Sequence, residues 1–172
     1  MVEQVTNKSQ LLLISLIDFY KNNISILNYF LSQKNILSLR ILDWLVTNYA
    51  KKYNVNYPII KNNKEINFNV YLNYKNQLKA YSKKLFDPFC RRERIKLNIK
   101  NLNYEFITCC EEEQIDNENE ILTTVGQLNF FKWFIENNVL EYAINNIKNI
   151  DEDMISTLNR NKEYPKERRK EL

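Results

Sequence analysis

Apolar residues in the N-terminal part of the chain recur at intervals of three, four and seven. Leu13, Leu16, Ile17, Tyr20, Ile24, Leu27 and Leu31 form one helical stripe, with Ser9 placed to cap it. Leu37, Ile41, Trp44, Leu45 and Tyr49 form a second stripe, with Asn35 as its cap. The short connection predicts an antiparallel pair. Pro58 is expected to end regular structure, and 61–65 to be a solvated loop. The period drops to two from Ile66 to Leu72, where Ile66, Phe68, Val70 and Leu72 would face inward as a strand. It becomes helical again at Tyr74, Leu78, Tyr81 and Leu85, until Asp87-Pro88 stops the helix. Alternation resumes through Ile95, Leu97 and Ile99, then through Tyr104, Phe106 and Thr108, two runs that 101–103 can join as a hairpin. Thr123 and Thr124 open the most apolar helix, and Thr124 with Gln127 fits a capping box. Asn137-Asn138 marks a break before a further turn through Ile147, and Asp151 is placed to cap a last short helix.

These elements predict an α+β fold, mainly helical, with one small antiparallel sheet or hairpin. An N-terminal helix over 1–34 would pack on a single α+β domain over 35–150. A charged, disordered tail is expected over 160–172.

Composition then narrows the chemistry. The chain contains no His and a single glycine, Gly126. His-based triads and the commonest metal ligand are therefore absent, as is any glycine-rich loop to cradle a phosphate. Cys90, Cys109 and Cys110 form no CxxC pair and read as reduced, buried small hydrophobes. No metal, cofactor or catalytic residue is expected, and the chain reads as a non-enzyme. The apolar run from Leu11 to Ile17 is too short to span a bilayer, so no membrane partner is expected.

Charge is unevenly distributed. The segment from Lys75 to Lys100 carries nine Lys or Arg residues against Asp87 and Glu93, a local +7 in a chain of +4. Tyr74, Tyr81, Phe86 and Phe89 interleave with those cations. From Glu105 to Glu120 the sign reverses, with seven acidic residues and no basic one. That stretch reads as a solvated loop, or as a tether that shields the basic surface.

Three blocks together, SLRILDWLVTNYAKKYN, YKNQLKAYSKKLFDPFCRRERI and TTVGQLNFFKWFIENNVLEYAI, resemble a family of small uncharacterised proteins of the nucleocytoplasmic large DNA viruses. The resemblance covers Ser38 to Ile147. It implies a viral protein made in the host cytoplasm, working in the virus factory or packaged in the virion, and it carries over no catalytic residue.

Two functions fit. In the first, Lys75, Lys79, Lys83, Lys84, Arg91, Arg92, Arg94 and Lys96 contact the phosphates of a nucleic acid, and aromatic faces stack on unpaired bases. The three arginines weigh most, because the Asn, Lys and Ile bias of the chain suits an A+T-rich coding sequence that disfavours Arg. In the second, the arginines pair with carboxylates of an acidic protein surface in the virion or a viral assembly. Asp87 with Arg91 to Arg94 could equally be a local network that fixes the turn.

Overall fold

The computed structural model describes residues 7–31, 37–107 and 118–163. It is mainly helical α+β, as expected, with two small antiparallel sheets among the described residues instead of one. The first stripe forms two helices, α1 (Lys8–Tyr20) and α2 (Ile24–Leu31). Asn7, not Ser9, caps α1 by accepting from the Gln10 amide. The break follows from Asn23, whose side chain donates to the Phe19 carbonyl at 2.9 Å and competes with the helical ladder.

The second stripe begins at α3 (Leu39–Trp44), capped by Ser38; Asn35 lies outside the described residues. A π-helical turn, Leu45–Tyr49, runs straight on into α4 (Ala50–Lys52). Pro58 does not end regular structure. It lies in β1 (Asn56–Lys61), which pairs with β2 (Lys64–Asn69) through the register Pro58↔Asn67. A two-stranded ribbon leaves an unpaired side on each strand, where proline's missing N–H costs nothing. The turn is Asn62-Asn63, both left-handed at φ 50° and 60°, the geometry a tight hairpin needs and Asn tolerates. Asn63→Gly is expected to raise stability by about 0.5 kcal/mol by relieving the Cβ clash of that conformation, read as a higher urea midpoint at unchanged m-value.

The expected strand from Ile66 to Leu72 is cut short. Asn69 accepts from the Leu72 amide and caps α5 (Val70–Leu85), which puts Leu72 on the solvent side of a helix. The remaining strands are β3 (Arg94–Asn98), β4 (Tyr104–Phe106) and β5 (Glu120–Thr124), in the order β4-β3-β5. The β3–β4 hairpin matches expectation, with Ile95 opposite Phe106 and Leu97 opposite Tyr104. β5 is a strand where the sequence pattern predicts the end of a loop and the start of a helix; it makes β3 the central strand, so Ile95 and Leu97 are fully buried. Thr108, Cys109, Cys110 and most of the acidic stretch lie outside the described residues.

Everything packs on α6 (Val125–Glu136), followed by α7 (Val139–Asn145) and α8 (Ile147–Glu163). Asn138, left-handed at φ 55°, makes the expected break between α6 and α7. Asp151 is not a cap but an interior residue of α8, and Arg160–Glu163 of the expected tail belong to that helix. α6 is buried almost all round, the pattern of a central core helix. Phe131 stacks on Phe30 at 4.3 Å, and the Tyr20 hydroxyl donates to the Leu128 carbonyl at 2.6 Å, which fixes α1 and α2 against it.

Candidate nucleic-acid interface

The basic segment is positioned by the end of α5 and the turn that follows. Ser82 adopts φ 58° and kinks the helix near its end, and its hydroxyl accepts from the Lys84 amide at 3.3 Å. Phe86 then drops into the core against Phe130 at 5.2 Å and Trp133 at 5.7 Å. The start of α6 holds the chain from behind. Asn129 donates to the Leu85 carbonyl at 2.9 Å, Gln127 donates to the Pro88 carbonyl at 2.9 Å, and the Asp87 amide donates to the Gly126 carbonyl at 3.3 Å. Thr124 caps α6 as expected, accepting from the Gln127 amide. The Gln127 side chain does not close the capping box; it accepts from the Thr123 hydroxyl at 2.7 Å and reaches across to the turn.

Asp87 is the hinge of that turn. Its carboxylate accepts from the Phe89 amide at 3.1 Å and from Arg91 twice, Nε at 3.0 Å and Nη2 at 3.1 Å. The guanidinium lies over the Phe89 ring, 4.7 Å from its centroid. Arg91 therefore belongs to a local network, and its fork is spent on Asp87. Arg94 is half-buried and also engaged. Lys96 lies opposite Glu105 in the β3–β4 register. Of the three arginines only Arg92 is exposed with no hydrogen bond or ion pair among the described residues. Lys75, Lys79 and Lys84 are in the same state on the outer side and end of α5. Lys83 is exposed as well, and its charge acts on Asp43.

Lys84 and Arg92 flank one small cavity of about 30 Å³, with Ser9 and Gly126 in its wall. Lys8 reaches the same end of α5, donating to the Ala80 carbonyl at 3.1 Å. The aromatics do not form a stacking surface. Tyr74 and Phe86 are core residues, Tyr81 is half-buried beneath Lys8, and the face of Phe89 is covered by Arg91.

The chain matches the model of a family described as "Family of unknown function (DUF7197)" over residues 2–171. It belongs to that family. Over 127 residues it is 43% identical to "Uncharacterized protein L507" of Acanthamoeba polyphaga mimivirus, an alignment covering 74% of this chain and 45% of that protein. The chain thus matches less than half the length of that viral relative. No solved structure matches it. The resemblance to giant-virus proteins is borne out, and the family match extends beyond Ser38–Ile147 at both ends.

Two family-chain features escaped the sequence pattern. The first is Asp43, half-buried beside this turn, whose side chain makes no hydrogen bond among the described residues. Burial, and then the nearby Asp87 charge, raise its pKa above the usual carboxylate range, while Arg91 and Lys83 oppose them. A raised folded-state pKa means ionised Asp43 costs stability above that pKa and costs none below the unfolded value. Asp43→Asn is therefore expected to stabilise the fold near neutral pH, with the gain vanishing toward pH ~4, the ordinary carboxylate value. Urea melts of the two proteins across pH check the crossover.

The second is Asp153 on α8, a buried carboxylate. It accepts from Trp44 Nε1 at 3.0 Å, Lys52 Nζ at 2.6 Å and, weakly, the Tyr53 hydroxyl at 3.4 Å. Sequence spacing misplaces these partners because of the π turn. One inserted residue makes the step from Trp44 to Lys52 rotate like seven residues, about two full turns, so both face α8.

Proposed function

We propose that the outer side of α5 and the loop after it bind a nucleic acid through its phosphates. The observation that carries this reading is the set of exposed cations, Lys75, Lys79, Lys84 and Arg92, left without neutralising partners among the described residues. Unpaired cations along one helix and the loop that follows it suit a linear polyanion. With Tyr74 and Phe86 in the core, Tyr81 beneath Lys8 and Phe89 covered by Arg91, binding rests on phosphate contacts and carries little base preference. Arg91 is committed to Asp87 and Arg94 is half-buried and engaged, so the contact set is Lys75, Lys79, Lys83, Lys84 and Arg92.

Electrophoretic mobility shift with double- and single-stranded oligonucleotides across a salt series tests this. Changing Lys79, Lys84 and Arg92 together to Ala is expected to weaken binding about tenfold at low salt and to flatten the log–log salt slope by about 2 to 3. No shift at low salt with the native chain overturns the proposal.

One observation favours the protein-interaction reading. Tyr104 and Phe106 lie on the edge strand β4, on the core side of the sheet, and stay 42% and 37% exposed. An uncovered aromatic pair on an edge strand suits an added strand or loop from a partner.

A further inference from the structure

The free side of β4 carries a definite pattern of backbone groups. The Asn98 amide donates to the Asn103 carbonyl at 2.8 Å, and the Ile107 amide to the Arg94 carbonyl at 3.0 Å. These two bonds set the phase of the β3–β4 ladder. Bonded and non-bonded pairs alternate along an antiparallel pair, so Lys96 and Glu105 form the bonded pair between them. The Glu105 N–H and C=O therefore point at β3, and those of Tyr104 and Phe106 point away from it. The outward groups have no hydrogen-bond partner among the described residues.

The side chains follow the same alternation. Tyr104 and Phe106 pack edge to face at 6.2 Å, on the side of the sheet that holds buried Ile95 and Leu97. Glu105 points to the opposite side, exposed and without a hydrogen bond or ion pair among the described residues. Proline blunts a sheet edge, and β1 has Pro58; Tyr104–Phe106 has none. Its one charge disfavours a second copy of this chain. Pairing through both outward residues of each copy sets the two Glu105 carboxylates directly opposite, and like charges there destabilise a sheet. The same carboxylate suits a cation. The chain that follows is acidic too, with seven acidic residues and no basic one from Glu105 to Glu120, which adds to the attraction.

We propose that β4 accepts an extended segment of another protein as an added antiparallel strand, with a basic residue between two apolar ones. The apolar residues lie opposite Tyr104 and Phe106, exchange backbone hydrogen bonds with them and cover their rings. The basic residue falls opposite Glu105 in the non-bonded position, where facing side chains approach most closely. This assigns the partner's chemistry and rests on the protein-interaction reading of the same edge.

The test titrates the full chain with the peptide Thr-Val-Arg-Val-Thr, followed by amide NMR. Two further probes are Thr-Val-Glu-Val-Thr and the Arg peptide N-methylated at both valines. The Arg peptide is expected to bind about fivefold more tightly than the Glu peptide, from the opposite-charge and like-charge pairs with Glu105. Saturation is expected to slow hydrogen exchange at the Tyr104 and Phe106 amides and to leave the Glu105 amide unchanged. Glu105→Gln, at an exposed side chain, is expected to erase the preference while circular dichroism shows the variant folded. Equal affinity of the native chain for the Arg and Glu peptides overturns the inference. An N-methylated peptide that binds as well as its parent also overturns it, but leaves the edge as a surface for side chains alone, so the protein-interaction reading survives. Absence of saturable binding of the Arg peptide up to about 10 mM, weaker than any useful peptide affinity, overturns the inference as well.

Discussion

Gly126→Ala is expected to lower stability by about 2 to 3 kcal/mol, the larger end of what a single added methyl does. A Cβ at that position would sit 3.1 Å from the Lys84 carbonyl oxygen, 3.3 Å from the Leu85 carbonyl carbon and 3.3 Å from the Phe86 nitrogen. All three are backbone atoms, so no flexible side chain can yield. The last turn of α5 would have to move off α6. That displacement reaches the bonds from Asn129 to the Leu85 carbonyl and from Gln127 to the Pro88 carbonyl, both buried. Losing either leaves a carbonyl unsatisfied, at about 1 to 3 kcal/mol. Urea unfolding followed by Trp fluorescence measures the effect, since Trp133 lies beside Phe86. A loss under about 0.5 kcal/mol, the scatter of surface substitutions, would mean that α5 is not seated on Gly126. The same variant is expected to bind oligonucleotides less well, because Lys84 and Arg92 ride on the displaced segment.

The sole glycine therefore serves close packing, not a phosphate loop, and that reason could not be read from one sequence. Other parts could. The stripes of α1, α3 and α6, the alternation in β3, and the stop at Asp87-Pro88 follow from local pattern because burial on one face dictates them. Local pattern failed where Asn replaced the usual turn residue. Asn62-Asn63 builds the hairpin that Asn-Gly would announce, and Asn69 caps a helix inside what reads as an alternating strand. In a chain this rich in Asn, those signals are hidden among neutral copies of the same residue. β5 was missed for a different reason. It follows an acidic stretch and gains its strand character by pairing with β3, a contact made across more than twenty residues of sequence.

For the candidate interface, charge density was legible and charge availability was not. Nine cations count equally along the chain, yet only the fold decides which of them are spent. Arg91 is committed to Asp87 by two hydrogen bonds, and the arginine cluster that looked most informative contributes one free member, Arg92. The lysines of α5, discounted by composition, are the ones left exposed.

Asp153 provides the other large expected effect. Asp153→Ala removes a buried acceptor shared by Trp44, Lys52 and Tyr53, and strands the Trp44 indole N–H in a half-buried place. The expected loss is about 2 to 3 kcal/mol at neutral pH. Its pH dependence identifies the cause. Burial alone would raise the carboxyl's pKa, but the Lys52 and Trp44 hydrogen bonds and the Lys52 charge bring it below the ordinary carboxylate value. A depressed folded-state pKa contributes stability that is present above the unfolded pKa and is lost as pH falls through the folded one. The gap between native chain and variant is therefore expected to stay constant above pH ~5 and to shrink below pH ~4, around the ordinary carboxylate pKa. Asp153→Asn should behave differently, since the amide oxygen can still accept from Trp44 while the attraction for Lys52 is gone. It is expected to fall between the two and to show no acid-dependent part from this residue. A gap that persists unchanged at low pH would assign Asp153 a packing role only.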